Sequence, residues 1–268
     1  MNPAIREEII RRLHVVEQEH DLTILYASES GSRAWQFASP DSDYDVRFIY
    51  ARQLEHYLSF DVERQRDVID AIEYPIVDDI DLVGWDLRKT MYLLTRTNGA
   101  LIEWLQSPIV YIDKLDIAVK LRELISACFD ATALCYHYSH MARGNAKEYL
   151  FKDQAKLKKY FYVLRPLLAI RYIQAFKELP PIEFEQLVDA VAPDNIRDDI
   201  GKLLTLKRNT PEMGYGPPVT SISQFIEAEL ERHGDSFSGQ GRPDLQEKTE
   251  AREALNQIFF DTVTAGAG

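Results

Sequence analysis

Scarcity narrows this chain first. Cysteine is rare: Cys128 and Cys135 are the only two in 268 residues. Both fall in a predicted helix, where seven positions put them about 10 Å apart along the axis, too far to bridge. They read as buried thiols in a reducing compartment, and the expected location is the cytoplasm. Long apolar runs are missing. Nothing approaches the roughly 20 residues that cross a bilayer, so no membrane partner is expected. The opening stretch, Met1-Asn2-Pro3-Ala4-Ile5-Arg6-Glu7-Glu8, carries acids early and no apolar segment of a secretion signal. Positive charge is in deficit: 31 Lys and Arg stand against 43 Asp and Glu, a net charge of −12. Proteins that track long nucleic acid along its backbone carry a basic surplus, so extended DNA binding is not expected. There is no internal repeat and no Cys/His cluster. His137 and His140, three apart on a helix, have no companions with zinc-ligand spacing.

What the chain does have is a change of character part-way along. Ile5, Ile9, Ile10, Leu13 and Val16 recur at helical spacing and predict a helix over 3–19. Thr23 to Ala27 reads as a buried strand, Ser28 to Ser32 as a turn of small residues, and Arg33 to Phe37 as the start of a short helix. A loop at 39–42 leads into an alternating strand from Tyr44 to Tyr50. A short helix and a loop fill much of 51–73, with a strand over 68–74. Another strand over 79–85 ends at Asp86, the predicted N-cap of a helix through Leu94. Asn98-Gly99 interrupts it, and helix resumes over 100–105. From about 115 onward helical patterns dominate, at 115–143, 145–176, 183–206, 221–233 and 244–263, with a polar loop at 234–243. The expected fold class is α+β: a small mixed sheet in a first domain, residues 1–112, followed by an all-helical domain, residues 113–268.

Chemistry concentrates in Asp43-Tyr44-Asp45. Residues two apart on a strand share a face. Two adjacent carboxylates repel, and each is costly to bury unpaired. A divalent cation relieves both costs, and Mg²⁺ takes hard oxygen ligands, commonly one or two carboxylates plus substrate phosphates. Gly31-Ser32 lies twelve residues upstream of Asp43. Glycine allows close backbone approach, and successive N–H groups form an anion-binding concavity, which a helix starting near Ser32 reinforces. A third carboxylate belongs on the neighbouring strand. Asp79 and Asp81 both fit the alternation there, Asp81 being the first choice. Arg33 and Arg47 flank the motif, and an arginine fork suits either a carboxylate or a phosphate. Glu29 is expected to orient Arg33 or the turn. Trp35, Trp85 and Trp104 read as core.

Gly-Ser, about a dozen residues and then Asp-apolar-Asp-apolar resembles the signature of the DNA polymerase β-like nucleotidyltransferase superfamily. The longer strings Glu29 to Trp35 and Ser39 to Tyr50 look like one branch of it, nucleotidyltransferases linked by name to an RNA-repair pathway. Gly84-Trp85-Asp86-Leu87-Arg88-Lys89, Asn98 with Glu103-Trp104-Leu105, and Lys159 to Pro166 add to the resemblance, which runs to about Gly216. In that branch a glycine often stands where this chain has Gln36. The resemblance implies transfer of a nucleoside monophosphate from an NTP, with ATP favoured, to a hydroxyl, releasing pyrophosphate, with Mg²⁺ or Mn²⁺ as cofactor. It implies that Gly31 and Ser32 bind the triphosphate and that Asp43 and Asp45 bind the metals. Asp81 is expected to complete both the catalytic and the metal set. By the same resemblance Lys158 or Lys159 is expected to reach the triphosphate and Tyr160 or a neighbouring tyrosine to stack on the base, while Tyr149, Tyr160 and Tyr162 fit the core equally well; Lys207, near a helix end, is a further candidate phosphate contact. The expected acceptor is an RNA end. A protein hydroxyl is the alternative, and a catalytically idle nucleotide-binding protein of the same fold is the rival outside enzymes.

Overall fold

Pro3 sets the first helical φ and Asn2 accepts the Ala4 N–H at 3.0 Å, so helix α1 starts where the spacing predicts. It runs Pro3–His20 and ends at Asp21 in the left-handed conformation, φ 49°. Ile9, Leu13 and Val16 form its buried stripe. The molecule is described here from a computed structural model, over residues 2–60, 70–150, 154–211, 213–233 and 249–265. It is α+β: five strands form a mixed sheet and the remaining elements are mainly helices.

The strands are β1 Leu22–Glu29, β2 Tyr44–Arg52, β3 Ala71–Glu73, β4 Ile80–Asp86 and β5 Val110–Asp113, in the order β3-β4-β2-β1-β5. β2 and β4 run parallel, and the other pairings are antiparallel. One face of the sheet packs Ala27, Val46, Phe48, Tyr50 and Leu82 against the stripe of α1. A slip of one residue would turn this whole set to the other face, so the core fixes the register. The opposite face is thereby free to carry polar groups. Phe48 faces Gly84 across the β2–β4 pairing, where a Cβ would lie 2.1 Å from the ring; only glycine fits there.

Several expectations change in detail. The predicted helix over 115–143 is three, Ile117–Glu123, Ile125–Cys128 and Ala131–Tyr149, the last capped by Asp130 accepting the Ala133 N–H at 2.9 Å. Cys128 and Cys135 are buried and unbridged, but in different helices. The helix expected over 145–176 begins only at Lys159, after a two-residue strand at Ala155–Lys156 that pairs with Tyr215–Gly216. The one expected over 183–206 divides at Ala192-Pro193, because proline lacks the N–H and disfavours helix at the residue before it. Strand β5 lies where a boundary was expected; four residues are too few to show a period. The loop at 234–243, Val68 and Ile69 lie outside the described residues.

The chain forms two compact units. The sheet unit comprises residues 1–34, 43–129 and 243–268; the helical unit comprises 35–42 and 130–242. This division departs from a cut at 112/113 because 35–42 packs with the helical residues and the last helix, Thr249–Ala265, packs with the sheet. Among the described residues no helix is long and apolar enough to cross a membrane.

Candidate active site

β2 and β4 pair in parallel with Asp45 beside Asp81. Both carboxylates are partly buried, with side chains 28% and 19% exposed. Arg47, two residues along β2 and so on the same face, donates to Asp45 Oδ1 at 3.1 Å and to Asp81 Oδ2 at 2.8 Å. Burial holds the Asp45 carboxyl above its usual range; Arg47 opposes this, and the charges of Asp81 and Asp43 reinforce it. The structure thus brings two of the three expected acids together. Asp43 is exposed just ahead of β2, and its carbonyl accepts from Arg33 Nε at 3.1 Å. Asp79 lies outside β4, exposed, with φ 60°, its carbonyl accepting the Tyr44 N–H at 2.7 Å. Asp81 is therefore the acid on the strand.

Gly31 has φ +57°, and a Cβ there would stand 2.0 Å from Asp45 Oδ2. The turn and the carboxylate are in direct apposition, and both conformation and space demand glycine. Ser32 is buried within the single helical turn Gly31–Ala34. Four residues make no appreciable macrodipole, so any anion binding here rests on local N–H groups without intrahelical acceptors. Arg33 also lies over the Tyr44 ring, 3.8 Å from its centroid.

Beneath the acid pair, Glu29 is wholly buried and accepts the Asp45 N–H at 2.9 Å and the Tyr111 hydroxyl. Its burial pushes it up to about 7, against the pull of these two bonds. Ser107 Oγ donates to the Glu29 carbonyl at 2.6 Å. Glu29 therefore holds the backbone at Asp45, and the nearby charge of Arg33 also lowers its pKa. Tyr111 and Ser107 were not expected from the sequence.

Among the described residues no three His, Cys, Asp or Glu side chains are arranged to hold a metal ion as they stand. The donor set nonetheless suits a hard divalent cation: two carboxylates on one face and a third acid nearby in sequence.

Comparison with known proteins agrees with this motif. Residues 5–261 match the RNA repair pathway DNA polymerase beta family. The chain belongs to that family. It is a polymerase beta-like nucleotidyltransferase. It is 42% identical over 260 residues to YcgL, an uncharacterized protein of Bacillus subtilis (strain 168), covering 97% of this chain and 96% of that protein. Among solved structures it aligns with a nucleotidyltransferase-like protein from Exiguobacterium sibiricum 255-15 at a TM-score of 0.31 and 9% identity, over 96% of this chain and 92% of that one.

The other site residues expected of this family member lie in the helical unit. Lys159 Nζ donates to Asn145 Oδ1 at 3.3 Å and lies 4.3 Å from the Tyr149 ring centroid. Burial lowers its pKa, and the neighbouring charges of Lys156 and Lys158 add to this. Lys207 is only 3% exposed; burial lowers it too, with Lys158 adding to the effect and Asp41 opposing it. Lys158, Lys159 and Lys207 are thus a basic group within one unit. Tyr160 is different. It is wholly buried, its hydroxyl meets Ser223 Oγ at 2.8 Å and accepts the Val219 N–H at 3.0 Å. It presents no ring face on which a base could stack, and it belongs to the core.

Proposed function

We propose that this protein transfers a nucleoside monophosphate from an NTP, with ATP favoured, to a hydroxyl acceptor and releases pyrophosphate, with Mg²⁺ or Mn²⁺ held by Asp45 and Asp81 and joined by Asp43. One observation carries the reading: Asp45 and Asp81 stand side by side on parallel strands with Gly31 against the Asp45 carboxylate. When bound, the cation neutralises the triphosphate and the departing pyrophosphate. The acceptor oxygen forms a bond to the α-phosphorus, the bond from that phosphorus to pyrophosphate breaks, and the acceptor proton leaves to solvent. In this reading Gly31 and Ser32 admit the phosphates close to the backbone. Glu29 fixes Asp45, and Arg47 holds the two acids while the site carries no cation. Arg33 borders the site, and Lys158, Lys159 and Lys207 give the helical unit a basic group of its own as candidate phosphate contacts. The family's name favours an RNA end as acceptor, and the cytoplasm is the setting that buried, unbridged thiols suit.

Arg47 favours one rival specifically. A guanidinium that already satisfies both acids fits an idle nucleotide binder that uses no metal. Incubation with each α-labelled NTP, Mg²⁺ or Mn²⁺, and total RNA or total protein separates the readings. The expected result is label in the RNA fraction, abolished by Asp45→Ala or Asp81→Ala with the circular dichroism spectrum unchanged. Label in protein transfers the proposal to a protein hydroxyl. Nucleotide binding without label in either fraction favours the idle binder, and failure of every NTP to bind in titration calorimetry sinks both.

A further inference from the structure

The segment Gly84-Trp85-Asp86-Leu87-Arg88-Lys89 is largely absorbed by the fold. Gly84 makes room for Phe48. Asp86 caps the helix Leu87–Thr95 and accepts the Tyr57 hydroxyl at 2.8 Å. Leu87 is core, and Arg88 stands 3.7 Å from Asp70. Trp85 and Lys89 remain. Alternate strand residues share a face, so Asp81, Val83 and Trp85 line the side of β4 that carries the acid pair, and all three are half-buried. Trp104, from the helix Gly99–Gln106, is buried against one side of Trp85, with centroids 3.8 Å apart and an interplanar angle of 26°. Lys89 Nζ lies 5.4 Å from the Trp85 ring centroid and has no carboxylate partner among the described residues. Four residues at about 3.3 Å each put Trp85 about 13 Å from Asp81.

We propose that Trp85 and Lys89 hold the acceptor, an unpaired nucleotide near the end of a single-stranded RNA. Lys89 Nζ, which lies over the side of the Trp85 ring away from Trp104, moves to the nucleotide's phosphate as the base stacks in its place, and the terminal hydroxyl lies toward Asp81. This rests on the nucleotidyl-transfer reading and names its substrate class. Unpaired bases are commonly held by aromatic stacking, which tolerates any base because each has a π-face. A single aromatic platform with a single cation also agrees with the chain's net charge of −12. It grips one end and does not track a backbone.

The test is equilibrium binding of a short, fluorescently labelled, single-stranded oligoribonucleotide without NTP, alongside calorimetric NTP binding. Trp85→Ala is expected to weaken the oligonucleotide about tenfold or more, and Trp85→Phe much less, since the smaller ring still stacks. Lys89→Ala is expected to weaken it and to reduce the slope of log K against log salt by about 0.7. NTP affinity stays unchanged in all three. If Trp85→Ala unfolds, Trp85→Phe and Lys89→Ala decide. Oligonucleotide binding that Lys89→Ala leaves intact in affinity and salt slope overturns the proposal. So does equal binding of a blunt duplex, failure of the oligonucleotide to bind, or label transfer to protein that is indifferent to Trp85. Loss of NTP binding in the wild type is a failure of the transfer reading alone, because the oligonucleotide titration reads Trp85 without it.

Discussion

Two positions five residues apart, Gly31 and Gln36, adopt the left-handed conformation, φ 57° and 64°, and they differ in what they tolerate. Gln36 needs only the conformation, which costs a non-glycine residue about 1–2 kcal/mol; that is the physical reason a glycine suits the position. Gly31 must also leave room for Asp45 Oδ2. Alanine there is expected to bear the strain and to displace the carboxylate by more than an ångström. A misplacement of that size costs on the order of a hundredfold in rate. Gly31→Ala should therefore lower turnover by about two orders of magnitude while lowering stability by only about 1–3 kcal/mol. Labelled-NTP transfer and urea denaturation on the same sample check the two numbers. Equal turnover with reduced stability would show that the contact with Asp45 is structural only.

At the scale of elements, the junction of β4 with the helix Leu87–Thr95 turns on Asp86. This carboxylate is wholly buried, caps the helix through the Arg88 N–H at 2.8 Å and accepts from Tyr57. Burial, above all, raises it from 3.8 to about 6. A carboxyl whose folded pKa lies above its unfolded one favours the native state fully below the unfolded value, and that favour is lost as pH rises through the folded one. Asn is an equally good cap and does not ionise. Asp86→Asn is therefore expected to gain stability relative to the wild type between about pH 4 and pH 7, by about 3 kcal/mol at 1.36 kcal/mol per unit. Denaturation at several pH values measures the gap, and a gap that stays constant with pH would show that Asp86 titrates normally. This cap was legible in the sequence because an acid directly before an amphipathic run is a local signal. Asp45 beside Asp81 was legible only in part. Alternation allowed Asp79 as well, and what separates them is the positive φ at Asp78 and Asp79, 51° and 60°, which starts β4 one residue later. Tyr111 was illegible because its strand is four residues long. For Tyr160 the resemblance offered a stacking role and the residue pattern allowed the core; Tyr160, Phe161, Val163 and Leu164 are all buried, which leaves the start of that helix without one apolar stripe to read in sequence.

On the scale of the whole molecule, the chain leaves the sheet unit after residue 34, spends 35–42 in the helical unit and returns at 43. That excursion lies between the two halves of the motif, and aromatic packing holds it. The Phe37 ring is wholly buried, with centroids 5.1 Å from Phe161, 5.5 Å from Phe184 and 5.5 Å from Trp35. The Phe184 N–H donates to the Trp35 carbonyl at 3.0 Å. Removing a buried phenylalanine costs about 3–5 kcal/mol. Phe37→Ala should therefore weaken the helical unit although residue 37 sits among sheet-unit residues in sequence. Leu13→Ala, in the core beneath the sheet, should weaken the sheet unit by about 2–5 kcal/mol. Native-state hydrogen exchange reads both: each variant is expected to lower protection chiefly in its own unit, residues 130–233 for Phe37→Ala and β1, β2 and β4 for Leu13→Ala. The reverse pattern for Phe37→Ala would return 35–42 to the sheet unit. Equal loss of protection everywhere in both variants would mean that the two units unfold as one. If the expected pattern holds, the link between Gly31-Ser32 and Asp43-Tyr44-Asp45 depends on the stability of helices that contribute none of the acids.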